Sequence, residues 1–251
     1  GELKFTGGEK LSSTELHKHL DVGPYHRDPE AYRTLVEKTY SEVPDINLPA
    51  EFARSIPDNL LMLTVRLARY KFLAKMLQPT DKVLEIGCGY GLGAIFMSQF
   101  CAHVLGIDVQ KDCIDTARNF CPRKNVDFWE RDAFTPQPFG GTFDVVAVMD
   151  VIEHLDKVEC LVLIRKAINC LKPGGMVVFG TPSVYSEPYQ SEFSKLSHVH
   201  CYDRDELLGI LSERFSRVLC FSMNDEVVHT GHPKMAWYYF FLCFYPKETR
   251  Q

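Results

Sequence analysis

The sequence predicts an α/β domain: a seven-stranded, mostly parallel sheet with a final antiparallel strand, preceded by a helical N-terminal extension. Three observations carry that expectation. From Asp81 onward, short β-branched apolar runs alternate with amphipathic segments, the pattern of parallel strands joined by crossover helices. Before Pro79, apolar residues recur instead at spacings of three and four, the period of helices. The composition, 45% hydrophobic and 24% charged over 251 residues, is that of an ordinary globular domain.

In chain order, helices are expected over residues 11–20, 29–43 and 57–77. Pro57 suits the first turn of the third helix, with Ser55 upstream as a candidate cap. The stretch SEVPDINLPAEFARSIP between the second and third helices is Pro-rich and reads as irregular. Strands follow at KVLEIG (82–87), HVLGID (103–108), VDFWER (126–131), FDVVAVMD (143–150) and MVVFGTP (176–182), with helices at 92–101, 111–120 and 157–171 between them. Asp203, with Glu206 three positions later as its capping partner, opens a helix to about Glu213. Two last strands, around 217–222 and 236–244, are separated by a long loop without helical pattern, so they read as an antiparallel pair closing one edge of the sheet.

Charge and composition narrow the function classes. The 28 basic residues against 33 acidic ones give a net charge of −5, and no Lys/Arg run could neutralise a phosphate backbone, which disfavours nucleic acid as a partner. The longest apolar run, MAWYYFFLCFY (235–245), is well short of the roughly 20 residues of a spanning helix. No basic-then-apolar leader is visible, so neither a membrane span nor a secretory signal is expected. Nine cysteines, odd in number and without a CxxC pair, fall mostly in apolar stretches where a thiol acts as a small hydrophobe. The expected compartment is reducing and cytoplasmic.

The most informative stretch is VLEIGCGYG (83–91), a buried strand running into a glycine-rich turn and then a helix. Gly87 and Gly89 permit positive φ and close approach of a ligand, while the helix start offers free N–H groups. Asp108, nineteen residues after Gly89 at the end of the second strand, is placed to reach a ribose diol lying across the switch point of the sheet. The spacing is GxGxG, unlike the GxGxxG of dinucleotide binders, and Glu85 stands two positions before the first glycine. A carboxylate there repels a pyrophosphate and suits a ligand carrying an amino group.

On these residues the sequence resembles the class I S-adenosylmethionine-dependent methyltransferases, over about residues 60–245. The resemblance implies a Rossmann-like sheet, with residues 80–251 as the S-adenosylmethionine-binding domain and residues 1–79 as the helical extension, a lid over the donor site or a brace against the sheet edge. EIGCGYG (85–91) looks like the motif holding the methionine moiety, which makes Glu85, Gly87, Cys88, Gly89 and Gly91 candidate cofactor residues. Asp108 looks like the ribose-binding acid, with Val109 beside the adenine. Asp132 and Ala133 look like the pair contacting the adenine amino group and ring, although Asp132 also suits a turn cap. Asp150 falls where the family's loop borders both donor and acceptor. LKPGG (171–175) is a structural turn that marks the family.

Methyl transfer from a sulfonium is an in-line displacement, so the protein must align the acceptor and, for a hydroxyl, take its proton. After the fourth strand come Asp150, Glu153 and His154; after the fifth come Thr181-Pro182, a polar spacer and SHVHCY (197–202). An imidazole with a pKa near 6.5 can accept the proton of a polarised hydroxyl. His154, His200 and Asp150 are therefore the candidate catalytic residues. The TP, spacer, HxH and helix combination resembles ubiquinone-type O-methyltransferases and small-RNA 2′-O-methyltransferases, in which an acid, a Glu-His pair and a later His can hold a divalent metal. The corresponding residues are Asp150, Glu153, His154 and either His198 or His200. Those families usually carry Glu where this chain has Asp150, so a divalent metal is left open and no metal ligand is assigned.

The insertion at 183–196 and the polar loop MNDEVVHTGH (223–232) are further candidates for the acceptor wall, the loop reading equally as a solvated surface. The expected function is O-methylation of a small polar acceptor, a saccharide or a phenol, with S-adenosylmethionine as cofactor and with neither nucleic acid nor membrane as partner. The alternatives are methylation of an RNA 2′-hydroxyl and a catalytically silent S-adenosylmethionine-binding regulator. Oligomeric state stays open.

Overall fold

A computed structural model describes residues 59–136, 139 and 141–247, together with residues 28, 30–32, 34, 35, 38, 49, 52, 53, 55 and 56. The chain divides into two compact units, Gly1–Asn47 and Leu48–Gln251. In the first, the described residues 30–32, 34, 35 and 38 are helical, within the expected second helix, and Asp28 Oδ1 caps it by accepting from Ala31 N at 2.9 Å. The expected helix over 11–20 lies outside the described residues.

The second unit holds the sheet. It opens with α1 (Leu60–Ala74), whose N-cap is Asn59, accepting from Met62 N, rather than Ser55. Val65, Ala68, Leu73 and Ala74 bury its inner face against the sheet, so this helix belongs to the sheet's own unit. Then follow β1 (Lys82–Ile86), α2 (Leu92–Met97), β2 (His103–Asp108), α3 (Lys111–Phe120), β3 (Val126–Glu130), β4 (Phe143–Met149), α4 (Lys157–Asn169) and β5 (Leu171–Pro182). Short helix α5 (Glu192–Ser197), α6 (Arg204–Ser212), β6 (Phe215–Asn224), β7 (Val227–His229) and β8 (Tyr238–Pro246) complete the unit.

The strand order is β3-β2-β1-β4-β5-β8-β6-β7. β1 to β5 pair in parallel and β8, β6 and β7 antiparallel, as the alternating pattern and the last two apolar runs require. Because side chains alternate across a strand, neighbours such as Val83 and Leu84, both fully buried, feed opposite faces. Leu84, Val146 and Val177 pack under α4 and α6, while Val83, Val145 and Val178 pack under α1, α2 and α3. Burial on both faces explains why these strands read as continuous apolar runs.

The sheet has eight strands where seven were expected. The extra one, β7, sits in the stretch expected to be a loop: Asn224 pairs with Val227 across a two-residue turn, and Asp225 takes the left-handed conformation (φ 48°) that such a turn demands. Asp203 does cap α6, accepting from Asp205 N, but the Glu206 side chain turns to His200 and Lys157 instead of closing a capping box. A complete box stands at α4, where Asp156 accepts from Val158 and Glu159 N–H and Glu159 returns to the Asp156 N–H. Asp156→Ala is expected to cost about 1 kcal/mol in chemical denaturation, since the carboxylate that accepts from Val158 and Glu159 N–H is lost while the backbone N–H of residue 156 can still donate to Glu159.

All nine cysteines are free. Among the described residues no helix is long and apolar enough to cross a membrane.

Candidate functional site

The strand order reverses direction between β1 and β4, and the carboxyl ends of β1, β2, β4 and β5 open there on a common rim. From β1 the chain turns sharply: Gly87 and Cys88 N–H both donate to Ile107 O, at 2.8 and 3.0 Å, which ties the glycine turn to the end of β2. Gly89 has φ 51° and nothing within 4 Å of where a Cβ would stand, so the backbone here faces open space. Asp108 closes the arrangement. Its Oδ2 accepts from Gly89 N at 2.9 Å and its Oδ1 from Gln110 N at 2.8 Å, leaving each oxygen further lone-pair capacity toward the cleft.

Glu85 is fully buried, and among the described residues neither carboxyl oxygen makes a hydrogen bond of good geometry, although Tyr70 and the Ala94 backbone lie against it and draw its pKa down. Its Oε1 and the Tyr70 ring close over Gly93, where a Cβ would lie 2.3 Å from that oxygen. Burial raises the Glu85 carboxyl to about 8. The Cys88 thiol points inward toward Gly106, and burial pushes it up, so only the Cys88 backbone faces the cleft. Val109 is exposed beyond β2. Asp132 is exposed too and caps its own turn, Oδ1 accepting from Phe134 N at 2.7 Å, while Ala133 packs against the core.

At the end of β4, Asp150 adopts φ 54°. Both of its carboxylate oxygens accept from Arg69 Nη1 of α1, at 2.9 and 3.0 Å. The guanidinium lies 4.0 Å from the centre of the Tyr238 ring, whose buried hydroxyl lies close to the Asp150 carboxylate; among the described residues neither that hydroxyl nor Arg69 Nε makes a hydrogen bond of good geometry. Asp150 keeps this buried guanidinium charged against the desolvation it suffers.

Three residues further on, Glu153 is buried and Thr181 Oγ1 donates to its Oε2 at 3.1 Å. Burial first, then the Asp150 charge, raises the Glu153 carboxyl to about 8. Its backbone carbonyl accepts from Val199 and His200 N–H, at 2.7 and 3.0 Å, which docks the segment after α5 onto the end of β4. His154 Nδ1 stands 2.9 Å from Ser197 O. A carbonyl only accepts, so Nδ1 carries the proton and the Nε2 lone pair is free.

The structure gathers Glu153, His154 and His198, with one ligand atom from each within 4.8 Å of the others, the group among the described residues suited to hold a cation. The two imidazoles meet edge to face at 5.0 Å. His198 Nδ1 is 3.0 Å from Gln190 Oε1, and burial, then the neighbouring His154, hold it below the ordinary imidazole range. His200 is not part of this group. Its Nε2 meets the Glu206 carboxylate at 3.1 Å, and its ring packs on Tyr202. Asp150 is likewise outside this group, its carboxylate hydrogen-bonded to Arg69.

Sequence reasoning did not single out Arg69, Tyr70, Tyr238 or Gln190. Arg69 carried a signal: it lies four residues after Val65 and between Ala68 and Leu73, on the buried stripe of α1, where a cation demands an acid.

Residues 60–215 match the family model described as a methyltransferase domain. The chain belongs to the methyltransferase domain family. Its sheet has the Rossmann-like fold of the class I, S-adenosylmethionine-dependent methyltransferases. The chain is 34% identical over 137 residues to phosphoethanolamine N-methyltransferase 1 of Arabidopsis thaliana, covering 53% of this chain and 28% of that protein. It is 33% identical over 113 residues to the ubiquinone biosynthesis O-methyltransferase of Xanthomonas campestris, covering 43% of this chain and 46% of that one. The chain thus spans between about a quarter and a half of these curated relatives. Among solved structures, a possible histamine N-methyltransferase of Thermotoga maritima superimposes with a TM-score of 0.61 at 16% identity, covering 77% of this chain and 94% of that one. The N-methyltransferase NodS of Bradyrhizobium japonicum in complex with S-adenosyl-L-homocysteine gives 0.52 at 19%, covering 76% and 89%. These structural likenesses speak to the fold.

Proposed function

We propose that this domain methylates a hydroxyl oxygen on a small polar acceptor, a saccharide or a phenol. The supporting observation is the convergence of Glu153, His154 and His198 at the rim, with the Nε2 lone pair of His154 left free. The donor, when bound, supplies a methyl group already activated on its sulfonium. The residues present fit it: a buried carboxyl at Glu85, without a well-formed hydrogen bond among the described residues, answers an ammonium, and the open backbone at Gly89 permits close approach. In this reading Glu85 faces the amino group, the backbone of Gly87, Cys88, Gly89 and Gly91 cradles the methionine moiety, and Asp108 takes the ribose diol. Val109, Asp132 and Ala133 border the adenine.

On the acceptor side His154 takes the hydroxyl proton. Its hydrogen bond to Ser197 O holds the ring in the tautomer that can do so. A divalent cation held by Glu153, His154 and His198 would occupy that same Nε2 lone pair, so it would act in place of the His154 base, acidifying the hydroxyl directly and letting its proton leave to solvent. In this reading His200, engaged by Glu206, steadies the loop. His154→Ala is expected to cut turnover by about a hundredfold or more while S-adenosylhomocysteine affinity stays within twofold; His200→Ala should lower turnover far less.

The reading is tested by incubating the protein with methyl-labelled S-adenosylmethionine and panels of phenols, saccharides and amines. Label on oxygen supports it. Label on nitrogen alone overturns it in favour of amine methylation, the reaction named for the Arabidopsis relative. Donor binding without turnover on any panel points to a regulatory binder, and transfer confined to RNA to a 2′-O-methyltransferase.

A further inference from the structure

The resemblance stated above implies four cation ligands at the rim, and the structure brings three of them together. The fourth position, Asp150, is taken by Arg69. We infer that Arg69 is a positioning residue that withdraws the Asp150 carboxylate from the rim, so that the centre offers one carboxyl and two imidazoles to a cation and the acceptor instead of two carboxyls. The inference rests on reading Glu153, His154 and His198 as the acceptor side.

Geometry and chemistry both support this. The two Asp150 oxygens converge on a single nitrogen, Arg69 Nη1, at 2.9 and 3.0 Å, so both are tethered to the guanidinium. The Arg69 side chain is only 15% exposed and is pinned from its other side by the Tyr238 ring at 4.0 Å, a cation–π contact inside the fold. The enclosed guanidinium stands fixed beside Asp150, whose side chain is 36% exposed, so losing Arg69 leaves a hydrated carboxylate free to turn, whereas losing Asp150 leaves a buried cation without its acid. Asp150 leaves β4 with φ 54°, a conformation Asp tolerates better than most residues, and that turn delivers its carboxylate to α1. The chain also carries Asp where the resembling families carry the longer Glu, so the carboxylate has one methylene less with which to reach the rim. What is left at the rim is richer in nitrogen than in oxygen. Such a set favours a borderline ion such as Co²⁺ over Mg²⁺, which prefers carboxylate and water ligands.

Titration of the purified chain, saturated with S-adenosylhomocysteine, tests this without an acceptor: Co²⁺ followed by its visible spectrum, Mn²⁺ by loss of the free-ion resonance signal, and Mg²⁺ by competition with Mn²⁺. The wild type is expected to bind Co²⁺ at least tenfold more tightly than Mn²⁺, with Mg²⁺ weaker still. Asp150→Asn alone should leave Co²⁺ and Mn²⁺ affinities within twofold, whereas Glu153→Gln and His198→Ala should each lower them tenfold or more. Arg69→Gln should free the carboxylate and raise Mn²⁺ affinity about tenfold. Arg69→Gln combined with Asp150→Asn should return it to the wild-type value, and Arg69→Lys, which can still serve one nitrogen to both oxygens, should stay near wild type. The inference is overturned if Asp150→Asn weakens ion binding as much as Glu153→Gln does, an arm that stands even if Arg69→Gln fails to fold. It is equally overturned if folded Arg69→Gln binds Mn²⁺ like the wild type, or if no form binds Co²⁺ or Mn²⁺. Failure of the hydroxyl reading would show instead in the acceptor panels, where these ion affinities play no part.

Discussion

Asp108→Ala is expected to weaken S-adenosylhomocysteine binding about a hundredfold or more in calorimetry, with the melting temperature of the ligand-free protein changed by only a few degrees. Two losses combine. In the donor pose proposed above the carboxylate partners the two ribose hydroxyls, and hydrogen bonds to a charged group contribute about 1.5–3 kcal/mol each. The same carboxylate accepts from Gly89 and Gln110 N–H, so without it the glycine turn loses the strut that holds its open backbone toward the cleft. Asp108→Asn separates the two: one carbonyl oxygen still braces one N–H, and the loss should be nearer tenfold. An Asp108→Ala protein that binds S-adenosylhomocysteine as tightly as wild type would remove Asp108 from the donor site.

The glycine turn, Asp108 and the sheet were legible because each follows from a local rule. Strands buried on both faces write themselves as continuous apolar runs, and a turn that needs φ above zero at Gly87, Gly89 and Gly91 writes itself as glycine. β7 was not legible: three residues are too few for any period, and the positive φ falls on Asp225, a residue type that serves many other turns. The 183–200 region failed for a related reason. Its helical turns are each six residues long, capped by Ser183 and Ser191, and α5 buries nothing, so no apolar stripe announces it.

The choice between His198 and His200 shows a different limit. They stand two residues apart, alike in type and setting, and what separates them is the partner each finds: Gln190 for one, Glu206 for the other. Asp150 is the same case at longer range. Its partner Arg69 is 81 residues away in sequence, and only the packing of α1 on the sheet shows that the acid is already engaged.

Glu85→Gln is expected to make the ligand-free protein more stable than wild type at pH 8.5 while weakening S-adenosylhomocysteine binding tenfold or more. The sign follows from linkage. Burial raises the Glu85 carboxyl to about 8 in the folded protein, whereas in the unfolded chain it titrates near the ordinary value of 4.5. Between those values the native state keeps a proton that the unfolded state has released, so stability falls as pH rises. The favourable contribution of the protonated carboxyl is complete below about 4.5 and is lost as pH rises through about 8. Glutamine imitates the neutral acid and has no proton to lose, so the mutant's melting temperature should fall less steeply over that window. Glu153, also raised to about 8, accounts for part of the remaining slope, which the double variant with Glu153→Gln should flatten further. Donor-side binding runs the other way. An ammonium placed against Glu85 favours the carboxylate, so S-adenosylhomocysteine should bind wild type more tightly as pH rises from 6 toward 8 and release protons on binding, measurable by calorimetry in buffers of different ionisation enthalpy. Glu85→Gln should remove that release. If wild type and Glu85→Gln bind with equal affinity and equal proton release, the buried carboxyl has no part in holding the amino group, and its burial is a structural cost with some other origin.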